Sequence, residues 1–291
     1  MHHRAGPNVE FPVVAFHASV VAGDPERRLA MEATVLMSLA LPAGFAVART
    51  LPILLLVPAF GGVHLTASLR MAIGLLLGAL SLPRLSGIAF PVDTPVVLVL
   101  MLVREIGVGM TLGFVASLLF HAAESAGRFI DIVRGANMSE VLAPLSGQRS
   151  SPMGTLYLLL STMVFLELGG LSRMAIAVSH SYEVVPLWPI GASGHARADL
   201  MLHLIKLTAG MIESAVGLCA PVIVSLMLVD VALGLVARAA PQLEVYFLGL
   251  PIKALGGIGV VLISLGALRL SLQEGVVATW SAIGQTLQLL R

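Results

Sequence analysis

Apolar residues fall in long blocks along this chain. They cover roughly 33–60, 64–83, 95–123, 152–180, 200–236 and 254–270, and a milder block, 275–290, carries Ser281, Gln285 and Gln288. Leu, Ala and Met dominate and the blocks are longer than strands, so the pattern predicts helices throughout. Few blocks reach the ~20 uninterrupted apolar residues of a helix that crosses a bilayer. Glu32 and Arg49 enclose sixteen uncharged positions, Arg70 and Arg84 thirteen, Lys253 and Arg269 fifteen. Arg104-Glu105 and Glu167 interrupt otherwise apolar helices. A charge at the bilayer centre costs about 2.5–3.5 kcal/mol. Helices packed mostly against protein are therefore expected in preference to a lipid-facing bundle. Gly74-xxx-Gly78 and Gly109-xxx-Gly113 add small-residue faces that let helices approach closely.

Two interruptions are more than short turns. Residues 234–257 place Arg238, Pro241, Gln242, Glu244, Pro251 and Lys253 within sixteen positions. Two prolines ten apart forbid one unbroken helix, so a helix is expected to arrive near Ala240 and a second to leave after Lys253. A plain polar hairpin is one reading. The apolar stretch Val245–Leu250 favours another, a packed broken-helix element, because irregular backbone beside apolar surface needs protein or a cavity around it. Residues 124–153 begin with helical spacing, Ala126, Phe129, Ile130 and Val133 sharing a face, and continue into a loop marked by Gly135, Pro144, Gly147 and Pro152. That loop, with Gly135, Asn137, Met138 and Pro144, reads either as a solvated connection or as a segment that touches a partner or a conduit.

Composition agrees with the pattern. The 291 residues are 57% hydrophobic and 11% charged, and mean hydropathy is +0.97, against about a quarter charged residues in a soluble domain. The expected class is an all-α membrane protein. A formal net charge of +1 leaves no nucleic-acid footprint. The one cysteine, Cys219, reads as a small buried hydrophobe. Basic residues do not assign a topology: Arg128, Arg134, Arg149, Arg238 and Lys253 fall on one side of an alternating path, and Arg27, Arg28, Arg84, Arg197 and Arg269 on the other. Residues 1–30 differ in composition and are expected to form an N-terminal extension, disordered or upstream of a true start at Met31. Residues 31–291 are expected to form a single helical domain.

No catalytic set emerges. There is no H-E-x-x-H, P-loop or G-x-G-x-x-G. Gly191-Ala-Ser-Gly194 matches the serine motif of rhomboid-type intramembrane proteases, but the last histidine, His203, follows only nine residues on and no later helix supplies a base. His121/Glu124 and His180/Glu183 are two-residue pairs, too few for a metal site. Asp230 and Arg238, eight apart, are expected to share a helix face as a buried ion pair, and Glu213 stands alone in an apolar run. Intramembrane charges of this kind serve either an ion relay or a structural pair.

The stretch 232–254 resembles the signature of the FliR/YscT/HrcT/SpaR family of export-apparatus proteins from bacterial flagella and type III secretion injectisomes. Arg238, Pro241, Gln242, Gly249 and Pro251 fill its pattern. Gly127, Ile130-Asp131, Phe165, Gly169-Gly170, Ser179 and Pro186 are similar to further family positions, as is the Arg49…Arg70 region, and the resemblance covers about 31–275. Glu244 departs from the asparagine often found there, and Lys253 is more like the injectisome branch. The resemblance implies broken helical hairpins packed into a hetero-oligomeric export gate of the bacterial inner membrane, projecting to the periplasmic side. It implies a structural, non-enzymatic subunit with no cofactor or metal. Its implied partners are companion small inner-membrane subunits, the autoproteolytic switch subunit, the large export-gate protein and unfolded secreted proteins. Arg238, Pro241, Gln242, Glu244, Gly249, Pro251 and Lys253 would form the assembly motif. The alternative is a multi-pass solute or ion transporter using Asp230, Glu213 and Arg238, although no internal repeat accompanies those charges.

Overall fold

The structure, a computed structural model, describes residues 25–61, 66–85, 95–135, 151–187, 194–240 and 245–290. Eight helices occupy them: α1 (Pro25–Leu56), α2 (Pro58–Gly61), α3 (Ala67–Leu85), α4 (Pro95–Arg134), α5 (Pro152–Glu167), α6 (Gly170–Val184), α7 (Gly194–Ala239) and α8 (Val245–Leu290). No strand occurs among the described residues. Pro25, Pro58, Pro95 and Pro152 each open a helix, where the missing N–H has no intrahelical partner to lose and the fixed φ is already helical. Ser151 caps α5, its hydroxyl accepting from the Gly154 amide at 3.0 Å.

Several boundaries differ from the apolar blocks for identifiable reasons. The block 152–180 is two helices, α5 and α6, bent by 70°. The bend falls on Gly169, whose φ of 71° lies in the left-handed region that favours glycine. The blocks 254–270 and 275–290 are one helix. The polar stretch Ser271–Glu274 does not break it, because Leu268, Leu272 and Val276 stay buried at four-residue spacing. The helical start of 124–153 continues α4 without interruption to Arg134. α1 begins at Pro25, six residues before Met31.

Among the described residues three helices, Pro95–Arg134, Ala198–Ala239 and Gly249–Leu290, are long and apolar enough to cross a membrane, and the bent pair α5–α6 makes a fourth if it is one span. α7 and α8 have 46 residues each, or ~69 Å of helix at 1.5 Å per residue. That is about twice the ~30 Å hydrocarbon core, more than a tilt of 40° absorbs.

The packing is organised around α4. α1 lies parallel to it, with Gly109 opposite Arg49 and Gly113 opposite Ile53. A Cβ on Gly109 would sit 2.1 Å from the Arg49 carbonyl oxygen, and one on Gly113 would sit 2.9 Å from the Ile53 Cα. The Gly-xxx-Gly pair thus sets a backbone-to-backbone approach. The second pair, Gly74-xxx-Gly78 of α3, faces Leu54 and Ala46 of α1. Phe165 of α5 joins four elements: its ring meets Phe60 at 6.1 Å and Phe120 at 5.3 Å edge-on, and stacks on Trp280 at 5.8 Å. α7 and α8 form an antiparallel hairpin that lays α8 along α4, Gly275 against Leu119 and Gly257 against Arg134.

The close approach makes a matched prediction. Gly109→Ala should lower stability of the detergent-solubilised protein by about 1–3 kcal/mol through overpacking. Gly107→Ala, whose Cβ meets nothing within 4 Å, should leave it unchanged or raise it by about 0.5–1 kcal/mol. Equal losses in denaturant unfolding would contradict the α1–α4 contact.

Candidate functional site

The buried charges gather at two points along α4. Arg49 of α1 and Glu105 of α4 are both 0% exposed. The guanidinium grips the carboxylate with two N–H groups, Nε to Oε2 at 2.6 Å and Nη2 to Oε1 at 2.8 Å, the bidentate arrangement that only arginine offers. Nη1 donates to the Ser181 hydroxyl at 2.8 Å and Nη2 also to the Val185 carbonyl at 3.0 Å. The Ser181 hydroxyl in turn donates to the Val178 carbonyl at 2.6 Å. The Tyr182 ring lies 3.8 Å from the guanidinium carbon, adding a cation–π contact. Arg104, one position before Glu105, donates to the Pro186 carbonyl at 2.7 Å and the Leu187 carbonyl at 3.3 Å. Two arginines thereby gather the carbonyls of the three residues that follow α6, near the end of that helix where positive charge is favoured.

A second knot sits at the other end of α4. Asp131 is 1% exposed. It accepts from Arg134 Nη2 at 2.8 Å, from the Ser151 hydroxyl at 2.7 Å and from the Met153 amide at 3.0 Å. The contact fixes the start of α5 against the end of α4, and glycine is required at 127 because a Cβ there would fall 2.2 Å from the Met153 carbonyl oxygen. The stem of Arg134 then packs on Gly257 of α8, and Gly135, at φ 78°, lies beside the Leu250 side chain. The described flank of the 124–153 connection thus meets the start of α8, next to the 234–257 element.

The residues singled out in the sequence divide accordingly. Arg238 is exposed in the last turn of α7. Gly249 is buried against Leu233, 2.9 Å from where its Cβ would lie. Pro251 is exposed inside α8, because that helix starts at Val245 and not after Lys253. Pro241, Gln242, Glu244, Asn137, Met138 and Pro144 lie outside the described residues.

The expected buried pair of Asp230 with Arg238 is corrected. Eight residues of helix separate them by ~12 Å, and the antiparallel hairpin brings Lys253 to Asp230 instead, in an ion pair whose side chains are 21% and 44% exposed respectively. Glu213 and Arg238 are exposed as well, so the three charges offered for an ion relay do not form a buried set.

Sequence reasoning missed the Arg49–Glu105 pair. The signal was present in pieces: Glu105, Gly109 and Gly113 follow at four-residue spacing on one face of α4, and Arg49 and Ile53 repeat that spacing on α1. Superposing the two patterns places a fork donor opposite a carboxylate and small residues opposite backbone.

Residues 41–277 match the family model described as bacterial export proteins, family 1. The surface presentation of antigens protein SpaR of Shigella sonnei is 34% identical over 160 residues, 55% of this chain and 60% of that protein. The Yop proteins translocation protein T of Yersinia pestis is 33% identical over 159 residues, 54% of this chain and 59% of that protein. The flagellar biosynthetic protein FliR of Bacillus subtilis is 30% identical over 150 residues, 52% of this chain and 58% of that protein. The chain spans about three fifths of the length of each of these relatives in the matched region.

The arginine node predicts a non-additive result. Arg49→Met or Glu105→Met alone leaves a buried charge without its partner and should cost about 3–5 kcal/mol. The double Arg49→Met/Glu105→Met variant should recover most of that loss in detergent unfolding. A double variant as unstable as the sum of the singles would contradict a paired role.

Proposed function

This chain belongs to the bacterial export proteins, family 1, and from that membership we propose that it is a structural, non-enzymatic subunit of an inner-membrane export gate of a type III secretion system. It helps form the conduit through which unfolded proteins leave the cell. Its neighbours are small companion membrane subunits, the autoproteolytic switch subunit and the large export-gate protein, and the assembly projects toward the periplasm. Energy comes from a separate ATPase and the proton gradient. The injectisome is preferred over the flagellum on the ground of Lys253 following Gly249-x-Pro251.

One structural observation carries the reading. The α7–α8 hairpin is far longer than a bilayer is thick, yet large apolar side chains stand exposed along its length, among them Met201, Leu228, Val231, Leu255, Leu262 and Ile263. Only part of such a hairpin finds hydrocarbon around it, so neighbouring chains must supply the remaining cover. The other half of the molecule is locked internally by Arg49 and Asp131 and offers a rigid base for that hairpin. Arg238, in the last turn of α7, serves assembly together with Pro241, Gln242 and Glu244 of the same stretch of sequence, and the segment containing Asn137, Met138 and Pro144 touches a partner or the conduit.

Arg238→Ala, and separately Pro241→Ala with Gln242→Ala, should abolish secretion and co-purification with the companion subunits while the chain itself remains folded in the membrane. Secretion assays on complemented deletion strains, paired with affinity purification, read both effects. Normal assembly and export by Arg238→Ala would remove that residue from the motif.

A further inference from the structure

Where the end of α4 meets the hairpin, a buried cation has a donor without an acceptor. Arg134 is 8% exposed, yet its Nε–H has no hydrogen-bond partner among the described residues. A buried donor left in this way carries its full desolvation penalty. Asp131 does not fill the gap. Its Oδ1 takes Arg134 Nη2, and its Oδ2 takes the Ser151 hydroxyl and the Met153 amide. Turning it toward Nε would give up its hold on the start of α5.

Contacts across the α7–α8 hairpin bring a second carboxylate close to this donor. A Cβ on Gly249 would meet Leu233, and one on Gly257 would meet both Leu226 and the Arg134 stem. Asp230 pairs with Lys253 between those two layers. The three contacts follow one antiparallel register, and Asp230 lies four residues, ~6 Å along the axis, from Leu226. Arg134 stands at the same level. Its stem reaches Gly257, and the next residue, Gly135, lies beside Leu250, so the end of α4 passes Lys253 between them. Helical side chains lean toward the N-terminal end of their own helix. On α7 that direction leads the Asp230 carboxylate toward Leu226 and the Arg134 stem. The other described acids of the hairpin, Asp199, Glu213 and Glu274, lie more than three turns from that layer.

The two contacts open to Asp230 are unequal in strength. The side chains of Asp230 and Lys253 are 44% and 21% exposed, and an ion pair open to solvent is screened and contributes little. A carboxylate on Arg134 Nε would satisfy a buried, charged donor. We propose that Asp230 is a two-position latch: it holds Lys253 across the hairpin in the structure, and in a second arrangement its carboxylate swings to Arg134 Nε and ties α7 to the end of α4. The exchange decides whether the ionic contact at this end of α7 is made to α8 or to the junction of α4 and α5 that Asp131 and Ser151 hold. It involves residues of this chain alone and does not depend on the export reading.

The chain has two lysines, Lys206 and Lys253, which makes carbodiimide cross-linking selective, since that reagent joins a carboxylate to an amine in contact with it. In the detergent-solubilised full chain it should link Asp230 to Lys253. Arg134→Lys puts an amine in place of the guanidinium, and peptide mass spectrometry should then find Asp230 linked to position 134 as well. Adding Lys253→Met should raise that second link several-fold. No link from Asp230 to position 134, even after Lys253→Met is added, would overturn the latch. Thermal unfolding with Arg134 intact decides the matter if Arg134→Lys does not fold. Asp230→Asn should lower the midpoint several times more than Lys253→Met, because Arg134 takes over the carboxylate once Lys253 is gone. Equal losses would make Lys253 the sole partner of Asp230 and would also overturn the latch.

Discussion

A guanidinium with no exposed surface must have its charge and its N–H groups answered by protein, and the position of Arg49 forces most of the N-terminal architecture. Glu105 answers the charge, Ser181 and the Val185 carbonyl take further donors, and Tyr182 covers a face. These partners come from α4, α6 and the residues just after α6, so satisfying one side chain fixes three elements at once. The glycine at 109 is part of the same solution, because the fork reaches Glu105 only if the α1 backbone lies against α4. A buried pair of this kind contributes little net stability against an apolar replacement, and its value lies in the large penalty for any arrangement that separates the partners.

The C-terminal half follows a different logic. α7 and α8 are held to each other and to the base by contacts that are mostly partly exposed: Lys253 with Asp230, Arg269 with Glu167, His203 with Thr286. Asp131 and Arg134 tie the hairpin's turn end to α4, through the packing of the Arg134 stem on Gly257. Beyond those points large apolar side chains face outward along helices of ~69 Å. A base tied together internally and carrying a hairpin whose apolar side chains face outward is the form expected of a subunit that completes its packing in an assembly. It also explains why the apolar blocks are broken by charges: some of those charges are matched within the chain and others stand on surfaces meant for neighbours.

Local features of the sequence were legible to the extent that their causes are local. The apolar blocks located every long helix among the described residues, and both Gly-xxx-Gly pairs mark helix contacts. The bend at Gly169 was hidden because a single left-handed glycine leaves no periodicity signal in an apolar run. The join of the last two blocks was hidden because Ser271–Glu274 looks like a break until the burial of Leu268, Leu272 and Val276 is known. The charges were the hardest to read. Asp230 and Arg238 attracted attention by proximity in sequence, whereas the pair that is buried spans 56 positions, and a partner at that distance is visible only once the helices are placed. The stretch around Pro241-Gln242 carries the most specific resemblance in the chain, and its meaning rests on assembly, a property that no spacing within one chain encodes.

The most direct test is an electron cryo-microscopy map of the intact export apparatus containing this chain, at a resolution that shows side chains. The account predicts density for Arg49 gripping Glu105 in the interior of the subunit, with α1 and α4 in contact at Gly109, and neighbouring chains covering the outward apolar faces of α7 and α8. A map with α1 parted from α4 and Arg49 facing a conduit or solvent, or with the whole hairpin bare to lipid, would contradict it.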